Sequence, residues 1–247
     1  MKALILAAGY ATRLYPLTID KPKALLKVGE KTVLDYIYDE IETINDIKEI
    51  IIISNHKFYQ SFVSWKESKT TNKLIKVIDD GTTSDEEKLG AIGDIRLVLE
   101  QENINEDMLV IAGDNLFTYK LKDFYNFYKN LKKDCILVQE VTNSEDLKRM
   151  GVALLDENNR VVDLEEKPAN PKSNLAVYAS YIYLKETLPL FEVYLREGNK
   201  PDAPGYFPEW LYKRKEVYAF RFEGECYDIG THESYKEVQE KFKSDVI

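Results

Sequence analysis

Glycine is scarce in this chain, at 11 of 247 residues, where an average usage of about 7% would give roughly 17. Each glycine is therefore informative about where backbone must turn or come close to a ligand. Cysteine is scarcer. Cys135 and Cys226 lie far apart with no metal-type spacing, which fits a reduced, cytoplasmic protein. The two histidines, His56 and His232, have no third ligand in view and support no zinc site. No apolar run approaches the roughly 18 residues of a membrane span. The opening MKALILAAGYATRL reads as a core strand, not a signal peptide. A basic excess is missing too. The 34 Lys+Arg face 43 Asp+Glu, a net charge of −9, which argues against nucleic acid and against a polybasic membrane surface.

What is present is the pattern of a globular α/β chain. Apolar runs at residues 2–8, 50–54, 74–79, 108–112 and 135–141 read as buried strands. Between them, residues 32–44, 90–100 and 121–131 carry apolar side chains at helical spacing. Strands alternating with helices predict a doubly wound, mostly parallel sheet with helices on both faces. From Gly151 the pattern changes. Residues 151–155 and 160–165 flank the turn Asp156-Glu157-Asn158-Asn159 and predict a hairpin. A strand over 175–184, helices over 186–197 and 207–214, strands over 216–223 and 225–228 and a helix over 231–243 follow. No linker or internal repeat interrupts the chain, so one domain over 1–247 is expected, with a change of character near residue 145.

Charge and glycine then point to candidate chemistry. The loop Gly9-Tyr10-Ala11-Thr12-Arg13-Leu14 follows the first strand at its C-terminal end, where open α/β sheets bind ligands. It is neither a dinucleotide fingerprint nor a P-loop. Its small residues let backbone N–H groups approach phosphate oxygens, and Arg13 can clamp them. A tight turn with a solvated arginine is the plain alternative. Lys21 and Lys23 come soon after, and residues 1–31 hold six Lys/Arg against two Asp/Glu inside an acidic chain. Asp114 follows a buried strand in AGDN, and Asp228 sits in YDIGTH. Each could cap a helix or form a turn.

The segment GYATRLYPLTIDKPKALLKVGEKTVLDY resembles the signature of the sugar-1-phosphate nucleotidylyltransferases, roughly G-x-G-T-R-L-x-P-L-T-x-x-x-P-K. AGDN (112–115), VVDLEEKP (161–168) and YDIGTH (227–232) agree in the family's order. The likeness is nearest to the short glucose-1-phosphate thymidylyltransferase-like branch. It implies a Rossmann-like, GT-A-like fold with an inserted hairpin subregion. Residues 1–145 would form a nucleotide-binding core and 146–247 a sugar-binding and C-terminal part.

The resemblance also implies roles. Leu6, Ala8, Gly9, Thr12, Arg13, Lys23 and Gly90 would bind the nucleotide, and Asp114 and Asp228 would hold Mg²⁺. Gly151, Glu166, Lys167 and Tyr178 would bind the sugar phosphate. Arg13, Lys23, Asp114 and Lys167 would be catalytic. The expected activity is nucleotidyl transfer from an NTP, dTTP or UTP first, to a sugar 1-phosphate. No nucleic acid or membrane partner is expected, and homo-oligomerisation stays open. The alternatives are a cytidylyltransferase for another phosphorylated alcohol and a non-catalytic nucleotide-sugar-binding homologue. The sequence departs from the pattern in places. Ala11 replaces the second glycine of the loop and should fit if its φ stays below zero. Tyr178-Ala179 replaces a frequent Thr-Gly, PGYFPEW (204–210) stands where an E-x-x-D segment is common, and VIDDGTTSDEEKLG lacks a base-reading glutamine.

Overall fold

Ile50, Ile51, Ile52 and Ile53 are all fully buried, because β-branched side chains on both faces of one strand need cover on both sides. They form the centre of Glu49–Ser54, flanked in parallel by Lys2–Leu6 and Leu74–Asp79. The computed structural model to which these strands belong describes residues 1–243. It shows the expected α/β fold with a mixed sheet. The chain divides into two compact units that interleave along the sequence. The first comprises 2–88, 112–122 and the chain from 224; the second comprises 1, 89–111 and 123–223.

In the first unit the helix Val33–Glu42 starts at a reciprocal cap. Asp35 N–H donates to Thr32 Oγ1 at 3.1 Å, and Thr32 N–H donates to Asp35 Oδ2 at 2.8 Å. Its buried side chains, Val33, Leu34, Ile37 and Ile41, follow the helical period. The helix Tyr59–Glu67 was not expected from the pattern. It buries only Phe62 and Trp65 and has no capping side chain, so its sequence carries little periodicity. Asn115–Phe117 pairs antiparallel with Cys226–Asp228. The helix His232–Lys243 is tied to Lys27, whose carbonyl accepts from Tyr235 Oη at 2.7 Å and Gln239 Nε2 at 2.9 Å.

In the second unit the strand Leu175–Tyr183 is the axis. It runs antiparallel to Met108–Ala112, Asp134–Glu140 and Gly151–Leu155. Val217–Arg221 joins parallel to Asp134–Glu140. The expected hairpin is present as Gly151–Leu155 with Val161–Glu166, in a register that sets Glu166 opposite Gly151. The helices Leu190–Arg196 and Tyr206–Leu211 are fixed by aromatic packing, with Phe191 stacked on Phe207 at 3.6 Å between centroids. No helix among the described residues is long and apolar enough to cross a membrane.

Candidate active site

The first unit holds a pocket of about 440 Å³ whose lining includes Leu6, Gly9, Thr12, Arg13, Lys23, Gly113, Asp114 and Gly230. Its floor is set by backbone. Gly113 N–H donates to Leu6 O at 2.8 Å, and a Cβ on Gly113 would stand 2.9 Å from that oxygen. Only glycine lets the chain pass so close before it delivers Asp114. Gly9 differs: its absent Cβ would have no heavy atom within 4 Å. No packing demand explains that glycine, and the open space faces a ligand-sized pocket.

The loop is anchored by residues that the sequence reading did not single out. Asn55, fully buried, donates from Nδ2 to Ala8 O at 2.9 Å. Tyr10 Oη and Thr82 Oγ1 are 3.1 Å apart. Ala8, expected beside the base, is buried with its carbonyl spent on Asn55 and does not line the pocket. The expectation for Ala11 is corrected. It lies in the left-handed region at φ 49°, ψ 41°, the conformation for which the family pattern places glycine. Its carbonyl accepts from Thr18 Oγ1 at 2.8 Å. Gly90 belongs to the second unit, where Pro201 and Asp202 take its helix-start donors. A Cβ there would meet Pro201 O at 2.6 Å, so packing accounts for this glycine.

Three charged groups converge at the pocket edge. Lys23 Nζ donates to Asp114 Oδ2 at 2.8 Å and to Asp228 Oδ1 at 3.1 Å. The Asp228↔Asn115 register of the short strand pair brings the second carboxylate beside the first. Burial alone would lower the Lys23 ammonium, but Asp114 and then Asp228 outweigh it and hold the group above its ordinary value. Gly230 leaves room for Asp228, since a Cβ would lie 3.0 Å from Asp228 Oδ2 and 3.6 Å from Arg13 Nη2. Arg13 itself is exposed, and the described residues offer its guanidinium no ion-pair partner. A free fork of donors at the mouth of such a pocket suits phosphate oxygens. His232 Nε2 lies 2.8 Å from Tyr15 O.

The fit of Mg²⁺ to these residues rests on the donor set. Asp114 and Asp228 offer hard carboxylate oxygens that already converge on one cation. No group of three or more metal-ligating side chains occurs among the described residues. The pair therefore suits an ion that takes its remaining ligands from phosphate and water.

The second unit carries a separate cluster. Glu166 ends its strand and projects its carboxylate over two glycines. A Cβ on Gly151 would stand 2.9 Å from Glu166 Oε2, and one on Gly205 would stand 2.0 Å from it. Burial pushes the Glu166 carboxyl up to about 6, with Lys167 pulling it down and Glu209 adding to the rise. Glu166 N–H donates to Glu209 Oε2 at 3.1 Å. The following residue, Lys167, is left-handed at φ 54°, with its N–H on Met150 O at 3.0 Å. A strained, exposed lysine beside a buried carboxyl is the kind of feature that marks binding sites. Gly205 and Glu209 were missed as site residues because PGYFPEW matched no signature. Tyr178 is not brought to Glu166. Val177 packs against Gly151 on the Glu166 side, and strand alternation turns Tyr178 to the other face, against Phe222 at 5.2 Å between centroids.

The pocket thus brings together a strand-end loop, an exposed arginine, a lysine and paired carboxylates. Comparison with known proteins then places the chain. A sequence model described as nucleotidyl transferase matches residues 2–245, and the chain belongs to that family. A Sulfolobus acidocaldarius protein provisionally named mannose-1-phosphate guanyltransferase is 28% identical over 242 residues, 96% of this chain and 62% of its own. The bifunctional protein GlmU of Methanocaldococcus jannaschii is 28% identical over 251 residues, 100% of this chain and 56% of its own. The chain thus spans somewhat over half the length of these two relatives. A solved Bacillus anthracis structure, provisionally named glucose-1-phosphate thymidylyltransferase and holding sucrose, matches with TM-score 0.81 at 26% identity. The match covers 98% of this chain and 95% of that one.

Proposed function

We propose that this chain transfers a nucleotidyl group from an NTP to a sugar 1-phosphate, releasing pyrophosphate and forming an NDP-sugar. The observation that carries the reading is the convergence of Lys23, Asp114 and Asp228 beside the Arg13 loop. The names of the relatives support it, since they describe guanyl, uridylyl and thymidylyl transfer to sugar 1-phosphates. We put dTTP and UTP first, on the likeness to thymidylyl- and uridylyltransferases. A reduced, cytoplasmic setting belongs to the same proposal.

In this reaction a phosphate oxygen of the sugar 1-phosphate attacks the α-phosphorus. The P–O bond to the β-phosphate breaks, and pyrophosphate leaves with the electron pair. The attacking oxygen is already an anion, so no general base is required. Charge neutralisation and alignment are required instead. Arg13 and the Gly9–Leu14 loop would hold the β- and γ-phosphates, and Lys23 the α-phosphate. Lys167 would hold the attacking phosphate, and Glu166 would accept from sugar hydroxyls. Asp114 and Asp228 are the residues that would hold Mg²⁺, which when bound supplies positive charge to phosphate oxygens.

Asp114→Ala and Arg13→Ala should each lower NDP-sugar formation by at least a hundredfold while far-UV circular dichroism and the melting temperature stay near those of the parent. Near-normal synthesis by both variants across a panel of NTPs and sugar 1-phosphates would remove the assignment. A cytidylyltransferase would instead show CTP-dependent pyrophosphate release with phosphorylated alcohols that are not sugars. No pyrophosphate release with any pair would leave a nucleotide-sugar-binding homologue.

A further inference from the structure

Lys23 occupies the point on which the two carboxylates converge. Its ammonium lies within 3.1 Å of one oxygen of Asp114 and one of Asp228. A divalent cation bridging that pair and the lysine ammonium cannot share one point. The lysine side chain is only 11% exposed, against 43% for Asp114 and 67% for Asp228. The carboxylates open to solvent, while the lysine side chain is largely buried.

We propose that Lys23 is the resident counter-ion of the Asp114–Asp228 pair, so that loading of a divalent metal is coupled to nucleotide binding. Two observations carry this. The ammonium already neutralises half of the pair's charge of two, which weakens its pull on a second cation. The described residues supply no third acidic, histidine or cysteine ligand, so a metal arriving alone meets an incomplete site. A triphosphate removes both obstacles at once. It brings phosphate oxygens as further ligands, and it gives Lys23 another anion to pair with. Linkage then makes the coupling reciprocal: metal and nucleotide each tighten the other's binding. The proposal rests on the polyphosphate reading of the pocket but not on the identity of base or sugar.

Manganese binding by the nucleotide-free protein tests it, followed by the electron paramagnetic resonance signal of free Mn²⁺. Wild type should bind Mn²⁺ weakly. Lys23→Gln and Lys23→Met, which keep the buried stem in length but remove the charge, should each bind at least tenfold more tightly. Lys23→Arg, which keeps the cation, should stay near wild type. Asp114→Asn added to Lys23→Gln should abolish the gain and locate it at this pair. Melting curves of each variant establish that it is folded. Unchanged or weaker Mn²⁺ affinity in folded Lys23→Gln and Lys23→Met, or a gain that Lys23→Arg shares, would overturn the proposal. The outcome is separable from the activity assignment. A gain in Mn²⁺ affinity in a protein that forms no NDP-sugar keeps the counter-ion and removes the reaction; NDP-sugar synthesis without the gain does the reverse.

Discussion

Ala11 sits at φ 49° in the loop that lines the pocket beside Lys23 and Asp114. For a residue with a Cβ this conformation costs about 1–2 kcal/mol. Glycine would relieve that cost and give back about 0.4–1 kcal/mol through a freer unfolded chain. Ala11→Gly should therefore stabilise the protein by about 0.5–1 kcal/mol, read as a higher urea midpoint at unchanged slope. A lower midpoint would mean that the methyl group makes a contact worth more than the strain. Glu166 makes a second prediction at this scale. Burial pushes its folded-state carboxyl up to about 6 from an ordinary 4.5. The folded chain thus holds this proton more tightly than the unfolded one, so stability falls as pH rises through that window and levels off above it. Glu166→Gln removes the titration. Its melting temperature relative to wild type should rise between pH 4.5 and pH 7.5, and an equal difference at both pH values would show that the carboxyl is not held in this way.

At the scale of elements, the Glu166 cluster depends on a short helix brought to the end of a hairpin. Gly205 precedes the helix Tyr206–Leu211, and a Cβ there would fall 2.0 Å from Glu166 Oε2. The obstacle is the far end of a flexible side chain, so Gly205→Ala should fold and push the carboxylate aside. The KM for the sugar 1-phosphate should rise at least tenfold, with the KM for the NTP within about twofold of wild type. Equal KM values for both substrates in variant and parent would separate Gly205 from the site. These elements also show what was legible beforehand. The Gly9–Leu14 loop, AGDN, EEKP and YDIGTH are local patterns, readable because each lies within a few residues of a strand end. Gly205 and Glu209 act through space on a residue some forty positions earlier. Gly205 does so by lacking a side chain and Glu209 by accepting one backbone N–H, and neither leaves a periodic or compositional trace. The same reasoning covers Tyr178: its strand was expected, but which face it presents depends on register, and a one-residue difference reverses the face.

At the scale of the molecule, a net charge of −9 coexists with a cation-rich N-terminal segment, so the charge total hides the local excess on which the proposed phosphate site rests. The two compact units divide the chemistry. Arg13, Lys23, Asp114 and Asp228 belong to one, and Gly151, Glu166, Lys167 and Glu209 belong to the other. Each unit thus carries the groups proposed for one substrate, even though both are assembled from separate stretches of chain. That division has a kinetic consequence. Loss of a charged hydrogen-bonding partner is worth about 1.5–3 kcal/mol, and every 1.4 kcal/mol is tenfold in affinity. Arg13→Ala should therefore raise the KM for the NTP by about tenfold or more with little change in that for the sugar 1-phosphate. Lys167→Ala should show the opposite pattern. Steady-state kinetics with each substrate varied at saturating levels of the other separates the two effects. If both variants raise the same KM, the assignment of one substrate to each unit is wrong, whichever base and sugar the enzyme uses.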